Sequence, residues 1–505
     1  MKNQRIGIMD IGSNSIRLAI FEQTEFGAHR VIDESKETAR LSMQIDDAGN
    51  LDKQAVLSVI DTLKHFKMLC QANRTAKIRA VATAAIRSAA NSSEILRMIE
   101  EKTGLSIELL SGEEEARLGF LGMINTIDIK DGFLVDIGGG STELTLFKKR
   151  GIVRSVSIPF GAVNTTKRFS QDGLVHPEQQ KQLQETIELA LKDHPWIVEH
   201  SGLPLVGVGG TVRSICKMDQ KMKKYSYDHM HNYNMAPKDI AYLQNLLPPM
   251  PLDQRKRVEG LKKERVDIIG PGIIILNAVL KICEAPAFIV SGAGLRDGIM
   301  YETLYPDRPK VEDVLEHSLR NLLALHPSVP AAHVEQVNRI ALTLFDHLQD
   351  VHCLNDRFRK YLYAASLLYR IGITINYYDY HKHTFYLMAH SRLDGLNHRE
   401  ILICAMIASF KSKSGVRRLY SLFKDILTEP DFNYIVLLGT LLQLARALDR
   451  SETQPVVHLE AAKKNEVLEL RIQARHSPAV EMREIASLSS LFKKEWGVVP
   501  KITLS

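Results

Sequence analysis

The sequence predicts an N-terminal half made of two duplicated α/β lobes, an all-α third domain and a small α+β C-terminal domain. Three observations carry this prediction. IMDIGSNSIRLAIF (8–21) recurs as LVDIGGGSTELTLF (134–147). A shift of 126 positions lays Asp10 on Asp136, Gly12 on Gly138, Ser15 on Ser141 and Phe21 on Phe147. Both copies read strand, glycine turn, strand, and each is followed by alternating strand-like and helix-like segments. From about residue 311 that alternation gives way to continuous helical spacing.

The elements follow in order. Lobe I, residues 1–125, opens with the hairpin RIGIMDIG and SIRLAIFE. A helix follows over 51–73 with apolar spacing near 3.6, then β-like KIRAVAT and a closing helix in SIELLSGEEEARLGFLGM. Lobe II, residues 126–305, repeats the hairpin as GFLVDIGGGSTELTLFKK. It continues through RSVSIPFGAV, a helix over about 176–192, strand PLVGVGGT and AFIVSGAGLRDGIM, whose end enters a helix near 293–304. After the proline-bearing linker LYPDRPKVED, residues 311–450 read as helices. Residues 451–505 read as two strands, one helix and a closing strand.

Whole-chain properties exclude several classes. At 505 residues the chain exceeds one hydrophobic core, so three or four domains are expected. No apolar run reaches the roughly 20 residues of a membrane span. The N-terminus enters a strand too soon for a signal peptide. Cys70, Cys216, Cys283, Cys353 and Cys404 are scattered without metal spacing, so reduced thiols and a cytoplasmic location are expected. The net charge of +6 permits an anionic substrate without demanding one.

The turn between the hairpin strands has a chemistry of its own. Glycines let backbone N–H groups approach a phosphate with no Cβ in the way. Ser and Thr hydroxyls add donors. An Asp at the strand end suits a hard cation. Two such turns on facing lobes would grip one phosphoryl group from both sides. Duplicated lobes of this kind resemble the ribonuclease H-like, actin-like ATPase lobes of the actin–hexokinase–Hsp70 superfamily. A third glycine loop, VGVGGTVRSI (206–215), matches its nucleotide-side loop, although a strand–GG–helix turn is also common packing punctuation.

VATAAIRSAAN (81–91) and LSGEEEARLGFLGM (110–123) lie between the two turns. With DIGSNSIRL, DIGGGSTEL, GVGGTVRS and SGAGLRDG they closely resemble the exopolyphosphatase/guanosine pentaphosphate phosphohydrolase family over about residues 5–305. The resemblance implies hydrolysis of a terminal phosphoric anhydride, with Mg²⁺ (or Mn²⁺) and a monovalent cation as cofactors. By motif spacing it points to Glu114, 22 positions before Asp136, as general base, with Glu115 the runner-up. A glutamate run is also the ordinary charged first turn of a surface helix. The resemblance makes Asp136 and Glu143 metal-linked, Asp10 a water-mediated metal partner, and Arg87 a phosphate clamp. Ser13, Asn14, Ser15, Gly138, Gly139, Gly140, Ser141, Thr142, Gly210 and Thr211 would bind phosphate. Arg17 stands where the second hairpin has Glu143, and Arg296 and Asp297 would shape the far side of the cleft.

Residues 311–450 resemble an HD phosphohydrolase domain in outline, with His333 leading and Asp449 closing. The signature position reads Tyr369-Arg370, neither a sensible metal ligand. A degenerate HD-like scaffold is therefore expected, used for homodimerisation and for extending a substrate track. Basic stretches at 217–224, 253–265, 411–418 and 492–496 suit such a track, though they also read as solvated helix faces. Sparse aromatics among them argue against nucleic acid. The activity implied is exopolyphosphatase, with guanosine pentaphosphate 5′-phosphohydrolase as the alternative. An ATP-dependent phosphotransferase and a non-catalytic alarmone or polyphosphate sensor stand behind these.

Overall fold

The computed structural model describes residues 3–171 and 173–504, in two compact units that divide between Val314 and Leu315. The first unit holds two sheets of matching topology. Sheet one contains β1 (Gln4–Ile11), β2 (Ser15–Gln23), β3 (His29–Thr38), β4 (Lys77–Ala82) and β5 (Ile107–Leu109), in the order β3-β2-β1-β4-β5. Sheet two contains β6 (Gly132–Ile137), β7 (Thr142–Lys148), β8 (Gly151–Ile158), β9 (Leu205–Val208), β10 (Tyr233–Met235) and β11 (Phe288–Val290), in the order β10-β11-β9-β6-β7-β8. Each sheet starts as an antiparallel meander and goes on through parallel neighbours. β10 is the one addition to the repeat.

These strands are apolar almost throughout because both faces of each sheet are covered. In β1, Met9 and Ile11 face the helices Lys53–Ala72 and Ser92–Thr103, while Ile6 and Ile8 face the opposite layer. That opposite layer contains the helix Gly112–Ile124, which lies between the sheets. Its Leu118 and Leu121 pack with Ile6, Ile8 and Phe21 of sheet one. Its Phe120, Met123 and Ile124 pack with Leu134, Phe147 and Val206 of sheet two. The helix is thus buried on two sides, and its exposed polar residues lie in the first turn and at Arg117.

The predicted division between the lobes does not follow the packing. The helix Leu295–Leu304, expected within lobe II, places Ile299, Met300 and Tyr301 in the lobe I layer. It meets the interlobe helix through glycine. A β-carbon on Gly298 would stand 1.9 Å from the Leu118 carbonyl oxygen, and one on Gly122 would stand 2.2 Å from that of Gly294. Away from the helices, the lobes are tied by Arg40, which binds Asp267 through two N–H groups at 2.6 and 3.0 Å, and by Lys36, 3.0 Å from Glu264.

The second unit is helical from Val314–Ala324 to Glu429–Ala447. A three-stranded sheet follows, β12 (Val456–Lys464), β13 (Val467–Ala474) and β14 (Val499–Leu504), in that order. The predicted closing helix is two, Ala479–Ser487 and Ser489–Trp496. This terminal segment belongs to the same compact unit as the helices. Gln336 donates to the Val456 carbonyl at 2.7 Å, and Trp496 Nε1 to that of Leu437. Among the described residues no helix is long and apolar enough to cross a membrane.

Because the Gly298–Leu118 contact is backbone against backbone, no rotamer change relieves it. Gly298→Ala should destabilise the first unit by roughly 1–3 kcal/mol, read as a lower urea midpoint. An unchanged midpoint would contradict this packing.

Candidate active site

The two glycine turns make the same local structure. Gly12 N–H donates to the Ser15 carbonyl at 3.2 Å, and Gly138 N–H to that of Ser141 at 3.0 Å. Other turn carbonyls are already engaged. Asn14 O accepts from the N–H groups of Ala39 and Arg40, and Gly138 and Gly139 O accept from those of Ala162 and Val163. Gly140 O accepts from the Asn164 side chain at 2.7 Å. Engaged carbonyls repel an incoming anion less. The turns touch each other: a β-carbon on Gly139 would lie 2.9 Å from Ser13 Cβ, and one on Gly140 2.9 Å from Ser13 Oγ.

A cleft of about 140 Å³ lies between the lobes, lined by both turns. Of the predicted phosphate binders, Ser13, Asn14, Ser15, Gly138, Gly139, Gly140, Ser141 and Gly210 line it. Asn14 is buried, and neither atom of its side-chain amide has a protein partner. Thr142 and Thr211 do not line the cleft. The Thr142 hydroxyl donates to the Phe160 carbonyl at 2.5 Å, and Thr211 is buried against Gly272. Both are packing residues where phosphate donors were expected.

Asp10 and Asp136 end their strands at the cleft. Asp10 pairs across the strands with Arg17, and Asp136 with Glu143. The repeat therefore keeps the geometry and inverts one charge. Burial raises the pKa of Asp10 against the pull of Arg296, Arg17 and Arg213. Burial, with the charge of Glu143, pushes Asp136 up to about 7. Glu143 is itself raised by burial. Its Oε1 accepts from Ser157 Oγ at 2.8 Å, while its Oε2 is buried without a partner.

Glu114 is not in the cleft. Ser111 caps the helix Gly112–Ile124, and the Glu114 carboxylate folds back to accept from Ser111 N–H at 2.8 Å and Ser111 Oγ at 2.9 Å. It stands in solvent, held below its usual pKa by those bonds. The next residue, Glu115, shares a helix face with Leu118, Gly119 and Gly122 and turns inward, where it lines the cleft. Burial and the neighbouring charges of Glu143 and Asp136 raise its pKa well above the ordinary carboxylate value. Arg87, expected to clamp phosphate, instead donates to Glu115 Oε2 at 3.0 Å and to the Leu110 carbonyl at 2.7 Å. It does not line the cleft. A signal for this was present in the sequence: S-x-x-E before a helix is a capping box, which commits its glutamate to the cap.

Four guanidinium groups face these carboxylates: Arg17, Arg213, Arg265 and Arg296. Burial and mutual repulsion press Arg213 down to about 9 and Arg265 to about 10. Arg213 and Arg265 were missed as site residues. Arg213 had a signal, one helical turn beyond Gly209-Gly210. Arg265 had none, since it comes from a separate turn at 263–265 and lies against Gly210. The basic stretch at 253–265 is thus not a uniform track. Its Arg255 is fully buried and donates to the carbonyls of Gly173, Pro248, Met250 and Val266. Farther off, Lys217 pairs with Asp228, and Lys223 with Asp219 and Asp239. Among the described residues no three acidic, His or Cys side chains gather as a protein-only metal cage. Arg296 and Asp297 line the far side as expected, with Asp297 capping its own helix through Gly294 N–H at 2.9 Å.

Both units of the chain are similar to known proteins. A model of the Ppx/GppA phosphatase family matches residues 19–306, and a model of domain III of that family matches residues 315–484. The Ppx/GppA family member of Aquifex aeolicus is 29% identical with a TM-score of 0.53, over 61% of this chain and 99% of that one. An exopolyphosphatase from Cytophaga hutchinsonii, 22% identical, shares the fold at a TM-score of 0.55, over 61% of this chain and 100% of that one.

A carboxyl raised to about 7 from 3.8 costs the fold stability as pH rises. Between those values the unfolded chain has released the proton and the folded chain still holds it. Stability therefore falls through this window, and above it the full penalty is present. Without added divalent cation, Asp136→Asn should gain on the wild type by a few kcal/mol between about pH 4 and pH 8. Urea midpoints across that range test this, and a pH-independent difference would refute it.

Proposed function

The chain belongs to the Ppx/GppA phosphatase family, and from that premise we propose that it is an exopolyphosphatase, releasing orthophosphate from the end of inorganic polyphosphate. One observation carries the reading. Two glycine turns in contact enclose a cleft where four arginines meet Asp10, Asp136 and Glu115. Burial and mutual repulsion lower the pKa of Arg213 and Arg265, and the oxygens of a polyanion terminus would relieve both.

Each residue has a part in the reaction. The turn backbone, Ser13, Asn14 and Ser141 fix the terminal phosphoryl, and Arg17, Arg213 and Arg265 neutralise its oxygens. Glu115, with its raised proton affinity, takes a proton from water as the water oxygen attacks phosphorus. The bridging P–O bond breaks, and its electrons leave on the shortened chain. Arg87 is a positioning residue that fixes the Glu115 carboxylate. Mg²⁺ fits the donor set: it accepts one or two carboxylates plus substrate oxygens rather than a protein cage. Asp136 and the unpartnered Oε2 of Glu143 would hold it, with Asp10 through water. Its charge would further polarise the terminal phosphoryl and relieve the crowding of these carboxylates.

Phosphate release from long polyphosphate, guanosine pentaphosphate and ATP, each with Mg²⁺, tests this. Polyphosphate should be the fastest; faster release from guanosine pentaphosphate would assign the alternative activity. Glu115→Gln should lose about 10²–10⁴-fold in kcat while substrate binding persists. Glu114→Gln should stay within a few-fold of wild type. The reverse ranking would restore Glu114 as the base.

A further inference from the structure

The second unit has its own cavity, of about 650 Å³. Its floor is the HD-like constellation. His333 Nδ1–H donates to Asp449 Oδ2 at 2.7 Å, and the Tyr369 hydroxyl bonds His333 Nε2. The other carboxylate oxygen of Asp449 accepts from Gln454 N–H at 2.8 Å. Both ring nitrogens and both carboxylate oxygens therefore have protein partners, and the floor is closed to metal chemistry.

The walls and rim have a different character. Arg446 lies over the rings of Tyr369 and Tyr380, 5.1 and 5.8 Å from their centroids, and donates to the Tyr380 hydroxyl at 2.7 Å. This fixes the guanidinium plane at the cavity edge. Lys411 and Arg450 stand beside it, and their nearest carboxylates, Asp379 and Glu484, are each 3.9 Å away. Asp379 is held more closely by Lys382, at 2.8 Å. Tyr377 and Tyr378 also line the cavity, 63% and 80% exposed, with their rings edge to face at 5.8 Å. The more exposed ring, Tyr378, beside three cations matches a ligand with both a flat ring and phosphates. A bare phosphate chain would leave that ring unused.

We propose that this cavity binds a purine nucleotide, with its base on Tyr378 and its phosphates on Arg446, Arg450 and Lys411. It shares no lining residue with the catalytic cleft. It depends on chemistry within residues 333–488 alone, so it stands whether or not the proposed activity does.

The probe is a fluorescent N-methylanthraniloyl ADP, titrated into the full chain and into the double variant Tyr378→Ala/Arg450→Ala. Both replaced side chains are largely exposed, and an unchanged melting temperature would show that the variant is folded. The double variant should bind at least about tenfold more weakly, with phosphate release from polyphosphate unchanged. Unlabelled ADP should displace the probe at least about tenfold better than pyrophosphate. No binding by the wild type, equal binding by the variant, or displacement by pyrophosphate as effective as by ADP would each overturn the proposal.

Discussion

A side chain on Gly139 or Gly140 would occupy space that Ser13 holds. The lobes can therefore close only where these positions lack a β-carbon. Closure sets the scale of everything in the cleft. It brings turn backbone from both lobes to one small volume, drives water from around Asp10, Asp136 and Glu115, and crowds four guanidiniums beside them. Burial in that cleft raises the carboxyl pKa values and lowers the arginine ones. An anion with an accompanying cation satisfies both sets of charges together.

Closure also governs Glu115. Its helix is clamped between the sheets, with Leu118 and Leu121 on one and Phe120 and Met123 on the other. Its hydrogen-bonding partner, Arg87, comes from lobe I. The charges that raise its proton affinity, Glu143 and Asp136, come from lobe II. Proton affinity at this residue is thereby a property of the lobe pair. Opening the cleft would remove the raising charges and leave the lowering one.

In the second unit the pair singled out in the sequence meets, but its ring nitrogens are both engaged. His333 and Asp449 meet at 2.7 Å, as the HD outline implied. A tyrosine hydroxyl then takes the ring nitrogen that a metal would need. What is left is an aromatic and cationic hollow.

The duplicated hairpin was legible because its physics is local. Alternation, glycine at the turn and an Asp at the strand end all sit within 14 residues, and the two sheets follow the repeat strand for strand. The placement of eight of the ten expected phosphate binders was legible for the same reason. Glu115 over Glu114 was half legible: the capping box at Ser111 was readable, but only packing between two sheets fixes which helix face turns inward. Arg265 and the return of Leu295–Leu304 to lobe I were beyond reach, because residues far apart in the chain meet there through shape alone. The sequence by itself determined the two turns and the charges they carry. The tertiary structure decided which carboxylate and which arginines face the cleft, since burial and charge proximity exist only once the lobes have closed.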